Sequence, residues 1–451
     1  MGAPREAPKG PPTKKSTTLK HLFDLDLEHT GDGRLHTDGA KVSSSSSREA
    51  ETEELLCTIS YCTRVVFTFA DPGESSLRQD LKRLKLSRIL SIVHSARGAW
   101  PDGILSSLVS MLSANLFRPL PPPAYNPLDF PDEEIPAMAF APAWPHLNLA
   151  YDVLGALVAS CEPRALRGFL DQEFLSVLLS LFQSGDPRER ERLKGVYHQI
   201  YARLAFHRKF MRKSMADELL RFVFDGESHC GIGELLEVWG SIITGLTVPL
   251  KEEHRVFLAR VLIPLHRPKG MHLYHKQLAY CVCQFVMKEQ ELGGTVVKGI
   301  LRCWPSTNCQ KEVLLIGELE ALAESMGENQ FAKLALPLCS QIARSSTSCN
   351  SQVAERALYA WNNEQFVRMA SQSMAEVLPP VVQGIERNLR SHWSRSVREL
   401  TVSVKKMLEE REPALYAQCL GDFNRRESMS REEEMKRKAK WDTLEVAVAK
   451  L

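Results

Sequence analysis

The sequence predicts an all-α chain wound as an α-solenoid of helical repeats, and three observations carry that prediction. Apolar residues recur at steps of three and four along most of the chain, the spacing that lines one face of a helix. Strand-like alternation is scarce, and residues 64–70 (RVVFTFA) are the one ambiguous run. About seventeen helices of about ten to twenty residues, with short links over about 350 residues, suit a solenoid better than one bundle.

Residues 1–50 are rich in Pro, Gly, Ser, Thr and charge, and include a run of five serines, Ser43 to Ser47. Such a segment lacks the apolar density to offset its ordering entropy, so a disordered, low-complexity tail is expected there. The solenoid is expected over 51–410. Leu77, Leu81 and Leu84 form one apolar stripe, expected to be buried. Trp144, Leu147, Tyr151, Leu154 and Val158 form another, and Leu193, Val196, Ile200 and Leu204 a third. In GDPRERERL, Asp186 reads as an N-cap, Pro187 as the first helical residue and Glu189 as the partner in a capping box. Pro249 stands ahead of a second charged first turn, in VPLKEEH. VAERAL, 353–358, has the small, close-packing look of a HEAT or armadillo helix. One link is long. Residues 118–145 hold enough prolines to exclude a helix over most of their length, and a loop of that kind is usually functional. Residues 411–451 read as a charged C-terminal helical extension. Its KRKAK, 436–440, reads either as a nuclear signal or as a solvated face balanced by Glu432, Glu433 and Glu434.

The totals limit the chemistry. A chain of 451 residues is long for one core. A net charge of +2 implies no general affinity for nucleic acid or membrane. No apolar run reaches the length of a membrane span, and the first residues carry no apolar core of a secretory signal. The eleven cysteines are scattered without a Cys-x-x-Cys pair, which suits reduced thiols in a cytosolic or nuclear protein. No phosphate-binding glycine loop, nucleophile elbow or His-Glu-x-x-His motif is present, so no cofactor or metal is expected.

VPLKEEH, 248–254, raises the question of what its charges do. Glu252 and Glu253 are neighbours, so on a helix they point about a hundred degrees apart and cannot act as a facing pair. Near a helix N-terminus the dipole favours their charge. Lys251 and His254 lie three apart and share a face. Two further stripes join them. His198, Tyr201, Ala205 and Arg208 step by three, four and three beside the core stripe of a helix expected over 186–207. Val238 and Ile242 step by four on a helix expected over 231–246. In a solenoid, alternate helices stack in one layer, so these two are expected to be neighbours. The three stripes then meet as an apolar shelf with cations at both ends, suited to an extended peptide with two apolar side chains and an acid. Hydrogen bonds from Lys251 and His254 to one carboxylate would contribute about 1.5–3 kcal/mol each.

AWPHL (143–147), DPRER (186–190), ELLEVWGSIITG (234–245), PLKEEH (249–254), YHKQLAYCVCQF (274–285) and QVAERALYAWNNE (352–364) occur together and in this order. On these motifs the chain resembles, over residues 53–449, the B-prime regulatory subunits of the type 2A protein phosphatase. The resemblance implies a curved, non-catalytic solenoid of HEAT-like, armadillo-like repeats. It implies a scaffold subunit and a metal-bearing catalytic subunit as partners, and substrates carrying Leu-x-x-Ile-x-Glu. By the same resemblance, Tyr201, Ala205, Val238 and Ile242 line the isoleucine pocket. His198, Gln199 and Tyr201 lie near the leucine, Lys251 and His254 hold the glutamate, and Arg208 helps accept a phosphate or acid. Asp132, Glu133 and Glu134 look like an acidic loop that faces the catalytic subunit.

The chain departs from the family's pattern at three of these positions and at one beside them. Gln199 replaces a usual arginine, Ala205 a leucine, Val238 an isoleucine and Trp239 a leucine. The shortening at Ala205 would weaken apolar burial by about 1–2 kcal/mol, at about 0.8 per methylene. Two rival readings are weaker. An armadillo transport receptor would repeat a Trp-Asn ladder, and Trp-Asn-Asn occurs once here, at 361–363. An enzyme would need a nucleophile–base pair or a metal cluster that the sequence does not offer.

Overall fold

A computed structural model of the chain describes residues 43–66, 76–96, 100–120, 141, 143–226, 229–305 and 307–448. Contacts divide the chain into two units, Met1–Glu54 and Leu55–Leu451. Of the first, residues 43–54 are described, and they are the opening turns of helix α1 (Ser43–Arg64). The expected tail up to residue 42 lies outside the described residues. From Ser43 onward that expectation is corrected to helix. Serine is favoured at helix starts, so the serine run is no bar to one.

The second unit is helical, with no strand among the described residues. After α1 come α2 (Ser76–Ser95), α3 (Asp102–Leu116), α4 (Trp144–Ser160), α5 (Gln172–Ser180), α6 (Pro187–Arg203), α7 (Arg208–Asp225), α8 (Ile232–Thr244) and α9 (Glu252–Phe257). There follow α10 (His275–Lys288), α11 (Gly293–Arg302), α12 (Cys309–Ser325), α13 (Glu328–Ala332), α14 (Ala335–Ser345), α15 (Ser351–Tyr359), α16 (Glu364–Ser371), α17 (Met374–Ser391), α18 (Arg395–Arg411) and α19 (Pro413–Val448). No described helix is long and apolar enough to cross a membrane.

The helices stack in two layers. In the first, α2, α4, α6, α8, α10, α12, α15 and α18 each pack on the next. In the second, α7 packs on α5 and on the helical segment 258–266, which meets α11, while α14, α17 and α19 continue in sequence. The stacking of α6 on α8 is the neighbour relation that the sequence predicts.

Cross-helix hydrogen bonds reveal the period. The Gln199 amide donates to the Gly155 carbonyl, 44 residues away. Lys194 pairs with Glu237 over 43 residues and Gln277 with the same glutamate over 40. Asn363 reaches Glu320 over 43, and Asn388 reaches the Ser346 carbonyl over 42. That separation is the length of a HEAT-like repeat. Gly240 lets α10 come close to α8, because a Cβ there would lie 3.0 Å from the Tyr280 ring.

Two of the three apolar stripes are buried as expected, save Trp144 at the start of α4, which is half-buried. The third is a correction. Leu77, Leu81 and Leu84 are 80%, 42% and 68% exposed, and α2 instead buries Lys82, Leu86, Ile89 and Val93. Three-and-four spacing identifies residues that share a face but not which face is covered. Here the row through Leu86, Ile89 and Val93 takes the core side.

The capping box is also corrected. Asp186 caps α6, accepting from the Arg188 N–H at 2.9 Å. The Asp186 N–H, however, donates to Ser184 Oγ at 3.3 Å. Glu189 turns inward, fully buried. It receives a two-pronged grip from Arg118 at 2.8 and 2.6 Å, the Tyr151 hydroxyl at 3.0 Å and the Ser184 hydroxyl at 2.6 Å. A second buried carboxylate, Glu318, accepts from His266 at 3.0 Å and His275 at 2.9 Å. Burial pushes Glu318 up, but the two imidazoles outweigh it and hold the carboxyl down to about 2.

Over Pro413–Val448 the C-terminal extension is one helix. Tyr416, Cys419 and Phe423 of α19 are buried, and residues 428–445 are exposed, KRKAK among them.

We expect Glu189→Ala to lower the unfolding free energy by about 1–3 kcal/mol, because it leaves the Tyr151 and Ser184 hydroxyls and the partly exposed Arg118 guanidinium without their acceptor. Urea unfolding followed by circular dichroism measures this, and an unchanged midpoint would refute the role given to Glu189.

Candidate functional site

The site begins at the turn between α8 and α9. The end of α10 clamps that turn. Lys288 donates to the Thr244 and Leu246 carbonyls at 2.9 and 2.8 Å, satisfying the C-terminal end of α8. Its neighbour Glu289 accepts from the Leu250 N–H at 2.6 Å and from the Arg255 guanidinium at 3.0 and 3.1 Å. The Arg255 hydrogen bond, then that of Leu250, hold the Glu289 carboxyl below its ordinary range. Between these anchors Lys251 stands in extended conformation at the head of α9, exposed, with Glu252 and Glu253 in the first turn as expected. Trp239 of α8 stacks on Phe257 of α9, ring centroids 3.8 Å apart, and fixes the short helix against its neighbour.

On the other side of the site, α6 ends at Arg203, earlier than the helix expected over 186–207. Leu204 adopts φ −96°, ψ 74°, which is not helical. Ala205 therefore sits exposed on a 3-10 turn of residues Ala205–His207, off the stripe of His198 and Tyr201. Arg208 opens α7 and folds back. Its guanidinium donates to the Tyr201 and Ala202 carbonyls at 2.9 and 2.6 Å and lies 5.5 Å from the Tyr201 ring. It thus satisfies the carbonyls that α6 leaves open.

Arg212, one turn further along α7, connects the two sides. It donates to the Tyr201 hydroxyl at 3.1 Å and to Glu253 Oε1 at 3.2 Å. The same Glu253 oxygen lies 3.3 Å from His254 Nε2. A line of contacts therefore runs from Tyr201 through Arg212 and Glu253 to His254. His254 is buried, and its Nδ1 has no hydrogen-bond partner. Burial pushes His254 below the ordinary histidine value. The charge of Glu253 opposes this, and Arg212 and Lys251 reinforce it.

The remaining residues take different stations. His198 is exposed on α6. Gln199 is half-buried and committed to Gly155 of α4. Val238 and Ile242 are buried on α8. Asp132, Glu133 and Glu134 lie outside the described residues. The described residues on either side, Arg118 and Ala141, meet the start of α6, Arg118 on Glu189 and the Ala141 N–H on Asp186 at 2.8 Å. The sequence pattern does not single out Arg212, Lys288 or Glu289. A forty-residue period would have flagged Arg212, which lies 41 residues from Glu253.

This constellation suits recognition of an anion. Lys251 and His254 gather on one helical turn with Arg212 across from it. Among the described residues no three His, Cys, Asp or Glu side chains group as metal ligands.

The sequence profile described as "Protein phosphatase 2A regulatory B subunit (B56 family)" matches residues 41–448. The B' eta isoform of the 59 kDa regulatory subunit of serine/threonine protein phosphatase 2A from Arabidopsis thaliana is 44% identical over 389 residues, 85% of this chain and 76% of its own. The 57 kDa B' kappa isoform of the same plant is 42% identical over 393 residues, 87% and 78% of the two chains. The B' kappa isoform of Oryza sativa subsp. japonica is 40% identical over 389 residues, 85% and 76%.

Because Arg212 lowers the His254 pKa, Arg212→Gln is expected to raise it. The imidazole chemical shift followed against pH by NMR reads this directly. A titration unchanged from wild type would contradict the Tyr201–His254 line.

Proposed function

Because the chain belongs to the B56 family of regulatory B subunits of protein phosphatase 2A, we propose that it joins the scaffold and catalytic subunits of that phosphatase and recruits substrates through Leu-x-x-Ile-x-Glu motifs. The family's role is regulatory rather than catalytic. The observation that carries the substrate-recruiting part is the first turn of α9. It holds Lys251 exposed beside His254, with Arg212 and Tyr201 opposite. On this reading Lys251 and His254 hold the motif's glutamate. Tyr201 and Ala205 meet its apolar side chains above Val238 and Ile242. His198 and Gln199 flank the leucine, and Arg208 reads a neighbouring acid or phosphate. The acidic loop with Asp132, Glu133 and Glu134 faces the catalytic subunit. All eleven cysteines are free, which supports work in the reducing cytosol, the nucleus or both.

The four departures retune the groove. Gln199 spends its amide on Gly155, so the α6 lip offers no cation at that position. Ala205 leaves the apolar contact short.

Affinity purification of the full chain tests the assembly. Scaffold and catalytic subunits are expected to co-elute, and the purified chain alone is expected to show no phosphatase activity with any divalent metal. Turnover that tracks the isolated chain would overturn the reading. A fluorescent Leu-x-x-Ile-x-Glu peptide tests the groove. Lys251→Ala is expected to weaken it about tenfold to a hundredfold, the ratio given by 1.5–3 kcal/mol for a charge-assisted hydrogen bond. Equal affinity for both proteins would exclude Lys251 from the site.

A further inference from the structure

Glu253 already occupies the position an incoming acid would take. Its Oε1 is shared between Arg212 at 3.2 Å and His254 Nε2 at 3.3 Å. The other ring nitrogen of His254 is buried without a partner, so Nε2 is the edge through which this ring meets an acid. That edge belongs to Glu253. Lys251 is exposed on the same turn and makes no ion pair among the described residues. The two groups of the turn therefore differ: the Lys251 ammonium is open and the His254 ring is spoken for.

Glu253 is also placed to leave. Its side chain is 47% exposed. Its position in the first turn of α9 favours its charge whether or not it holds His254, because the helix dipole acts on it either way. The ion pairs it would surrender are of the partly exposed kind, each worth little.

We infer that Glu253 is a resident acid, which a ligand's carboxylate displaces from Arg212 and His254 on binding. This rests on the reading above that the turn receives the glutamate of a substrate motif. It makes Glu253 a specificity-determining residue. Lys251 captures the acid first, and binding then exchanges one carboxylate for another at His254. Affinity is the difference between the two, so a ligand whose acid reaches both His254 and Lys251 is selected over one that reaches only one of them. Arg212, linked to the Tyr201 hydroxyl, becomes a third donor to the ligand once Glu253 is gone.

The test uses the full chain and the fluorescent Leu-x-x-Ile-x-Glu peptide, with Glu253→Gln and Glu252→Gln compared. Glu252 is the adjacent control. It approaches Arg255 only at 3.8 Å and lies on a different face. Glu253→Gln is expected to tighten the peptide about twofold to fivefold, the range that releasing an exposed ion pair spans. Glu252→Gln is expected to leave the dissociation constant unchanged. In the free protein Glu253→Gln is also expected to lower the His254 titration seen by NMR, since the charge of Glu253 raises it. Three results overturn the inference while leaving the recruiting role intact: unchanged affinity for Glu253→Gln; weaker binding, which would make Glu253 a support for Arg212; or equal tightening by Glu252→Gln, which would reduce the effect to net charge. Failure of the wild-type chain to bind the peptide would instead overturn the recruiting role, and the inference with it.

Discussion

Side chains some forty residues apart meet across neighbouring helices, and the remainder of the molecule depends on that spacing. In a stacked array each repeat touches only its neighbours, so register is set locally, one interface at a time. Apolar side chains supply the burial but tolerate sliding. The polar bonds do not. Gln199 on Gly155, Arg190 on Glu234 and Gln277 on Glu237 each fix one helix against the next at a single offset. Two fully buried carboxylates, Glu189 and Glu318, add points where a slip would strand charge away from water.

The turn that opens α9 is a product of that register. Lys288 and Glu289 close α10, and they hold the end of α8 and the start of α9 together. A one-residue slip of α10 would release both. Trp239 on Phe257 then sets α9 against α8 by an aromatic stack. Facing that turn, Arg208 closes α6 by taking two of its last open carbonyls, where the chain turns into α7, and Arg212 meets Tyr201. The proposed groove would thus be assembled from helix ends, where unpaired backbone groups give charged side chains a capping role beside any contact they make.

How much of this is legible in the sequence follows from what periodicity encodes. The helices, the core stripes of α4 and α6, the N-cap at Asp186 and the shared turn of Lys251 and His254 are local properties, and the spacing of residues carries them. The Leu77–Leu81–Leu84 face is not legible in the same way, because spacing defines a stripe but not its partner. The end of α6 is hidden because Leu204 carries no glycine or proline signal, and what stabilises the break is a side chain four residues on. Glu189 reads as a capping residue in the sequence because its partners, Arg118 and Tyr151, are 71 and 38 residues away. The repeat itself leaves no sequence copy, since each interface solves its register with different residues: an amide on a carbonyl at one, a lysine on a glutamate at the next.

Two of the departures from the family's pattern, at 199 and 205, have a common direction. Arginine to glutamine at position 199 removes a cation from the α6 side, and the glutamine is then drawn inward to Gly155. Alanine at 205 sits exposed on a turn, where on the proposed reading a longer side chain would reach over the groove. Both changes thin the α6 wall. On the α9 side nothing is lost: Lys251 and His254 are in place, Trp239 adds the stack that seats their helix, and Arg212 spans the gap. On the proposed reading, discrimination therefore moves from the apolar lip to the charged turn. A site that relies on one turn for selectivity is one in which the state of each carboxylate on that turn counts, which makes Glu253 a central residue although the resemblance assigns it no role.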